Sequence, residues 1–135
     1  MTTPTIGQFF ADRAGANHTL DFLCVPSDAN RSYAPDGRTL SYGAALHAVR
    51  ALADRLSGAG LGHGHRVAVL LENRPEMVLV KLALNAIGVS WVPINPDYRP
   101  AEAGYVLQDS APVLAIACRD PGAALAGGVP VVLRA

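Results

Sequence analysis

Residues 66–100 restrict the possible folds of this chain more than any other stretch: RVAVLLENRPEMVLVKLALNAIGVSWVPINPDYRP. A short apolar run, residues 67–71, ends at Glu72-Asn73-Arg74. Pro75 follows, then a densely apolar segment to Ile87, then Gly88. A second apolar run, residues 89–94, stops at Asn95-Pro96. Strand, turn, helix, glycine stop and strand, in that order, describe a βαβ unit. The flanking runs are rich in Val and Ile without clean alternation, the pattern of parallel strands covered on both faces. A right-handed crossover places the two runs parallel in one sheet.

The helix is marked at both ends. Asn73 can cap it, with Glu76 completing a capping box. If Pro75 is instead the first helical residue, where its missing N–H costs nothing, Arg74 is the cap. The residues leave both placements open. Gly88 suits the left-handed position after the last turn. Between Met77 and Ile87 only Lys81 and Asn85 are polar. They lie four apart, so the expected solvent stripe is narrow and the helix mostly buried.

The rest of the chain supplies flanking elements. Residues 5–16 predict a short amphipathic helix burying Ile6, Phe9 and Phe10 with Arg13 outside, an N-terminal arm that packs on something later. Residues 20–25 read as a strand and residues 26–36 as a polar loop, with Asp36-Gly37 a turn signal. Thr39 to Tyr42 begins a new element. Ser41 is a good N-cap for a helix to about Ser57, because Tyr42, Ala45, Leu46, Val49, Leu52, Ala53 and Leu56 recur at three- and four-residue steps. Gly58, Gly60, Gly62 and Gly64 end it and lead into Arg66. Pro100 opens a third core helix with Glu102 in its first turn; Ala103, Val106, Leu107 and Ser110 are expected to face the sheet. Ala111-Pro112 stops it, and residues 113–117 form a strand. Residues 120–127 read as a small Ala-rich helix or turn, and residues 129–133 as a last short strand. The expected class is α/β, a mainly parallel sheet flanked by helices. The expected division is residues 1–36 as arm and loop and residues 37–135 as the domain proper.

Chemistry is sparse. With 11 basic and 11 acidic residues the chain is near neutrality, which argues against a strongly electropositive nucleic-acid binder. Cys24 and Cys118 are far apart and form no C-x-x-C pair, so two free thiols and a cytoplasmic location are expected. No secretory pattern opens the chain, and its apolar stretches are too interrupted to span a membrane. G-x-x-x-x-G-K-[ST] is absent, and the glycine cluster at residues 58–65 precedes a strand instead of following one. His63 and His65 lack the further ligands a metal site needs; His18 and His47 are isolated. Ser90 sits in no G-x-S-x-G elbow. Glu72 and Glu76 flank a helix start, where capping accounts for them. The residues alone yield a fold and no active site.

An ordered set of short motifs nonetheless resembles one family. They are Arg38-Thr-Leu-Ser-Tyr42, Leu52-Ala-Asp-Arg-Leu56, Gly60-Leu-Gly62, residues 66–76, Leu82-Ala-Leu-Asn-Ala-Ile-Gly88, Val92-Pro-Ile-Asn-Pro96, Glu102 and Leu107-Gln-Asp-Ser110. In order and spacing they resemble the N-terminal portion of the AMP-forming acyl-CoA synthetases, the adenylate-forming ligases, across residues 37–117. Asn95 looks more like free-standing acyl-CoA ligases than peptide-synthetase modules, which tend to carry Asp there. Two positions depart from the pattern: Ala44 stands where the family has Glu, and His65 where it has Asp.

The resemblance implies the following. A carboxylate attacks ATP-Mg²⁺ to give acyl-AMP and pyrophosphate, and the thiol of CoA then displaces AMP. The family's phosphate loop, acyl pocket and catalytic lysine have no counterpart here, so the chain is expected to be a truncated N-terminal subdomain of that ligase fold. No catalytic residue, metal site or cofactor is expected for this chain alone; ATP, Mg²⁺ and CoA belong to a full-length relative. Arg99, just after the Asn-Pro turn, is the one candidate contact, to a CoA phosphate. Expected partners are a second copy or a missing C-terminal part. A stand-alone interaction or regulatory module is the competing reading, and a small nucleotide-binding α/β protein a third.

Overall fold

The structure is a computed structural model that describes residues 3–118 and the backbone of residues 131–133. The elements run α1 (Ile6–Ala16), β1 (Asp21–Val25), β2 (Arg38–Ser41), α2 (Tyr42–Gly58), β3 (Arg66–Leu70), α3 (Pro75–Ala86), β4 (Ser90–Pro93), α4 (Pro100–Ser110), β5 (Leu114–Ala117) and β6 (Val131–Leu133). β3 to β6 form one parallel sheet in the order β4-β3-β5-β6. Val67 lies opposite Trp91 on one side and Leu114 on the other. The parallel core is as the apolar runs predict. The Ala-rich segment expected at 120–127 falls outside the described residues.

β3 is buried along residues 67–70. Its side chains alternate between two cores. Val67, Val69 and Leu71 pack with Val80 and Leu84 of α3. Ala68 and Leu70 pack with Ala103 and Leu107 of α4 and with Ala115 and Ala117 of β5. α3 and α4 therefore cover opposite faces, and the chain changes winding direction between β3 and β5. Of the residues expected at the α4–sheet interface, Val106 and Ser110 sit at its margin, half-buried.

β4 is an edge of this sheet. The Ser90 amide donates to the His65 carbonyl and the Ile94 amide to the Val69 carbonyl. By strand alternation, the backbone groups of residues 91 and 93 face away from β3. Position 93 is proline, which has no N–H to offer another strand, so this edge is blunted against pairing.

α3 settles the open cap. Pro75 is the first helical residue and Arg74 the N-cap. The alternative capping box does not form, because Glu76 turns to Arg74 and Arg38 instead. At the other end Val89 N–H donates to the Leu84 carbonyl at 2.9 Å and Gly88 N–H to the Asn85 carbonyl at 3.1 Å. That pair is a Schellman motif, and Gly88 holds its left-handed position at φ 75°. The solvent stripe on α3 differs from expectation: Ala86 is exposed in place of Asn85. Lys81 is exposed, its Nζ 4.9 Å from the centre of the Trp91 ring. Asn85 is half-buried, and its Oδ1 accepts from the Gly7 amide at 2.8 Å.

The N-terminal segment differs from expectation in two respects. Residues 38–41, read as the lead into a helix, form a strand that pairs antiparallel with β1 in a separate two-stranded sheet. The helix it leads into begins at Tyr42, capped by the Ser41 hydroxyl, which accepts from the Ala44 amide. The second difference is the face that α1 buries. Only Phe10 of the three expected residues is buried; Ile6 and Phe9 are 61% and 56% exposed. The helix docks instead along Gly7, Phe10 and Ala14. A Cβ on Gly7 would stand 2.9 Å from the Ala86 Cα, so backbone meets backbone there. That close seam rotates Ile6 and Phe9 outward. Phe10 inserts beside Phe22 and Tyr42, with ring centres 5.0 Å and 6.3 Å away.

Leu84 has no solvent exposure. Leu84→Ala should lower unfolding free energy by about 2–5 kcal/mol through lost burial and a residual cavity. Gly88→Ala should cost about 1–2 kcal/mol for a left-handed Cβ. Lys81→Ala, on the exposed stripe, should stay within about 0.5 kcal/mol. Urea titration of the three variants checks the order.

Candidate functional site

Open α/β sheets bind ligands outside the carboxyl ends of their strands, where the winding direction changes. Here that place lies between β3 and β5. Among the described residues, three segments leave the sheet at this edge: residues 71–74 after β3, residues 94–99 after β4, and Cys118 after β5.

The turn after β3 is held by side chains from far earlier in the chain. Tyr33 O–H donates to the Asn73 carbonyl at 2.8 Å. Two guanidinium groups lie over its ring, Arg74 at 4.6 Å and Arg31 at 5.1 Å from the ring centre. Arg31 is itself fixed by donating to the carbonyls of Pro26, Tyr33 and Ala34. Glu76 accepts from Arg74 Nε at 3.0 Å through one oxygen and from an Arg38 nitrogen at 2.8 Å through the other. Arg74 thus touches a helix carboxylate and an aromatic face.

Electrostatics follow from this packing. Burial works against the charge of Glu76, but its backbone hydrogen bond and the Arg74 and Arg38 guanidinium groups outweigh that and hold its carboxyl below the ordinary 4.5. Burial likewise works against Arg74, and Glu76 with Cys118 prevails, so its pKa is raised.

The turn after β4 is built differently. The Asn95 side chain accepts from the Asp97 amide at 2.9 Å, and its carbonyl accepts from the Tyr98 amide at 3.0 Å. Arg99 is the exposed N-cap of α4. Its amide donates to Glu102 Oε2 at 2.8 Å, and its carbonyl accepts from the Glu102 amide at 3.0 Å. The residue singled out from sequence therefore stands in a rigid turn at the carboxyl edge. A shallow groove of about 460 Å³ beside it is lined by Tyr98, Ala101, Glu102, Tyr105 and Val106.

The histidines set aside in the sequence stay apart from this edge chemistry. His65 uses Nδ1 to accept from the Gly62 amide, and His63 is exposed. Both cysteines are free. Among the described residues no polar or charged side chain is buried, and no group of three His, Cys, Asp or Glu could hold a metal ion. No described helix is long and apolar enough to cross a membrane. Sequence reading missed Tyr33, Arg31 and Arg38. Tyr33 and Arg38 reach residues 73–76 across 38 to 41 positions, and Arg31 acts only through Tyr33 and its own loop, so no local pattern encodes them.

A family model described as "AMP-binding enzyme" matches residues 13–132. The chain is 37% identical over 81 residues to malpibaldin synthetase of Mortierella alpina, covering 60% of this chain and 2% of that protein. It is 34% identical over 104 residues to the 3-hydroxybenzoate--CoA ligase of Aromatoleum sp. (strain CIB), covering 73% of this chain and 20% of the ligase. The N-terminal subdomain of Klebsiella oxytoca NpsA, solved with 3-hydroxyanthranilyl-AMSN, superposes with a TM-score of 0.82 over 98% of this chain and 31% of that one. At 23% identity that likeness establishes the fold. The chain spans only a fraction of the length of each of these proteins.

The Glu76 cluster has a pH signature. A carboxyl held below 4.5 in the folded state contributes stability that is complete above 4.5 and is lost as pH falls through the lowered folded value. Glu76→Gln should therefore flatten the acid limb: melting temperatures of the variant and the native chain should converge as pH drops from neutral to about pH 3. Parallel curves would remove the ion pairs from the account.

Proposed function

The chain belongs to the AMP-binding enzyme family, and from that membership we propose that it forms the supporting layer of an adenylate-forming ligase that joins a carboxylate to the thiol of CoA. In the whole reaction the carboxylate attacks ATP to give acyl-AMP and pyrophosphate; the thiol then takes the acyl group and releases AMP. The observation that carries this reading is the family match across residues 13–132. The choice of CoA as acceptor is supported by the similarity to a CoA ligase over 73% of the chain and by Asn95 in the Val92-Pro-Ile-Asn-Pro96 turn.

The residues described here do not fit the nucleotide or its metal. They include no phosphate loop, no buried charged side chain and no cluster of metal ligands. No step of the reaction is therefore assigned to them. ATP, Mg²⁺ and all of CoA but the phosphate contact proposed below would be held by polypeptide that the larger relatives have outside the matched segment. On this reading the chain packs against such polypeptide or a second copy, and Ile6, Phe9, Leu20, Tyr98, Tyr105 and Val113 are the exposed large apolar residues available for it. Arg99 remains the proposed contact to a CoA phosphate, as an exposed cation at the carboxyl edge.

A second reading has its own support. Similarity to an isonitrile lipopeptide synthase of Mycobacterium tuberculosis, 34% identical over 82 residues, and to a PKS-NRPS hybrid synthetase of Aspergillus niger, 33% identical over 73 residues, favours an adenylation unit of a peptide synthetase. The acyl acceptor would then be a carrier-bound thiol instead of CoA.

Two assays test these readings. The purified 135-residue chain should give no carboxylate-dependent ATP–pyrophosphate exchange; exchange above background would overturn the scaffold assignment. Grafted in place of the matching segment of the 3-hydroxybenzoate--CoA ligase, it should sustain exchange and thioester formation. In that graft Arg99→Ala should raise the KM for CoA about tenfold, equivalent to about 1.4 kcal/mol, with exchange unchanged. An unchanged KM for CoA would remove Arg99 from the acceptor site and favour the carrier-thiol reading.

A further inference from the structure

α3 is gripped at both ends by the same N-terminal segment. At its C-terminal end the Gly7 amide donates to Asn85 Oδ1 at 2.8 Å, and the Gly7 backbone lies against Ala86. At its N-terminal end Tyr33 donates to the Asn73 carbonyl, its ring carries Arg74, and Arg38 pairs with Glu76. A twelve-residue helix separates the two grips by about 18 Å. Between them the segment is continuous and internally tied. Phe10 of α1 meets Phe22 of β1 and Tyr42 at the head of α2. β1 pairs with β2, and the Gly43 amide donates to the His18 carbonyl. Arg31 closes the loop on its own carbonyls.

We infer that residues 3–42 act as one cooperative strap across α3, so that releasing either end loosens the other and frees the turn at residues 72–74. The physical basis is the nature of the two grips. Each consists of a few polar contacts at a partly exposed site, worth little alone. The α1 seam buries Gly7, Phe10 and Ala14, only one of them large. The apolar contacts of the segment, Phe10 and Ala14 with the partly buried Phe22, Leu23 and Leu40, lie in a cluster shared with α2 and α3, whereas the faces of the parallel sheet are sealed by two other clusters. Such a segment opens as a subglobal unit below the free energy of global unfolding. Because the far grip includes Asn73 and Arg74 themselves, the state of the strap sets the order of the carboxyl-edge turn. This inference does not depend on the ligase reading.

Native-state hydrogen exchange on the full chain tests it. Tyr33→Ala removes both the hydroxyl bond and the ring that Arg31 and Arg74 contact. It should speed exchange of the Phe10 and Ala14 amides in α1 at least about tenfold, with the β3 amides of residues 67–70 changed less than about threefold. Asn85→Ala, at the opposite end, should speed the Gly37 and Asp28 amides, which donate within the 26–37 loop. Tyr33→Phe keeps the ring and loses only the hydroxyl, so it should give a smaller effect in the same direction if Tyr33→Ala proves too unstable to measure. Exchange that quickens only next to each substitution, or α1 and β3 amides that quicken together, would overturn the strap.

Discussion

Four consecutive residues of β3 have at most 5% exposure, and they point alternately to opposite sides of the sheet. That double burial fixes most of what surrounds them. A strand apolar on both faces needs a cover on each, and a right-handed crossover can lay a helix on only one face for strands added in one direction. The chain meets both demands by adding β4 on one side of β3 and β5 on the other, which places α3 and α4 on opposite faces. The same reversal of winding creates the crevice at the carboxyl edge. The location of the candidate site is thus a geometric by-product of sealing β3.

The two faces are not covered alike. Over α3 lies a second layer, α1 and α2, knitted by Phe10, Ala45, Leu46, Val49 and Ala53 with Leu79, Leu82 and Ala83. This explains why α3 is apolar almost all round: it is a middle layer with sheet on one side and helices on the other. α4 has no such outer layer among the described residues, and Tyr105 on it is 71% exposed. Small residues at Ala68, Ala115 and Ala117 let α4 sit close to the sheet. The asymmetry locates the polar work of the N-terminal segment as well. Its loop reaches the start of α3 from the layer above, so Tyr33 and Arg38 meet Glu76 and Arg74 there.

Elements written into the sequence by local chemistry were readable. Gly88 and Pro75 marked the ends of α3 because a left-handed turn and a missing N–H leave few alternatives. The three- and four-residue apolar period of α2 needed no tertiary knowledge, nor did the unalternating Val and Ile runs of β3. α1 was read less well, and the reason lies in Gly7. Hydrophobicity ranked Ile6 and Phe9 as core residues. Packing instead chose the face where a missing side chain lets backbones touch, because the close seam brings α1 near enough for Phe10 to reach Phe22 and Tyr42. β2 was hidden for a related reason: four residues ending in a helix cap carry no period of their own, and only β1 makes them a strand.

The edge chemistry was the least readable part, and the contrast between its two turns shows why. Arg99 could be singled out because the Asn-Pro turn and the Pro100 helix start lie beside it in sequence, and the structure keeps all of its described bonds within that local unit. Arg74 takes its environment from Tyr33 and Glu76, of which only the second is a neighbour in sequence. A guanidinium stacked on an aromatic face keeps its charge and loses part of its water, so its attraction to Glu76 strengthens as solvent is excluded. That makes the Arg74–Glu76 pair dependent on a tyrosine about forty residues away. The order of the turn after β3 is therefore a tertiary property, imposed from the N-terminal segment and invisible in residues 66–100 taken alone.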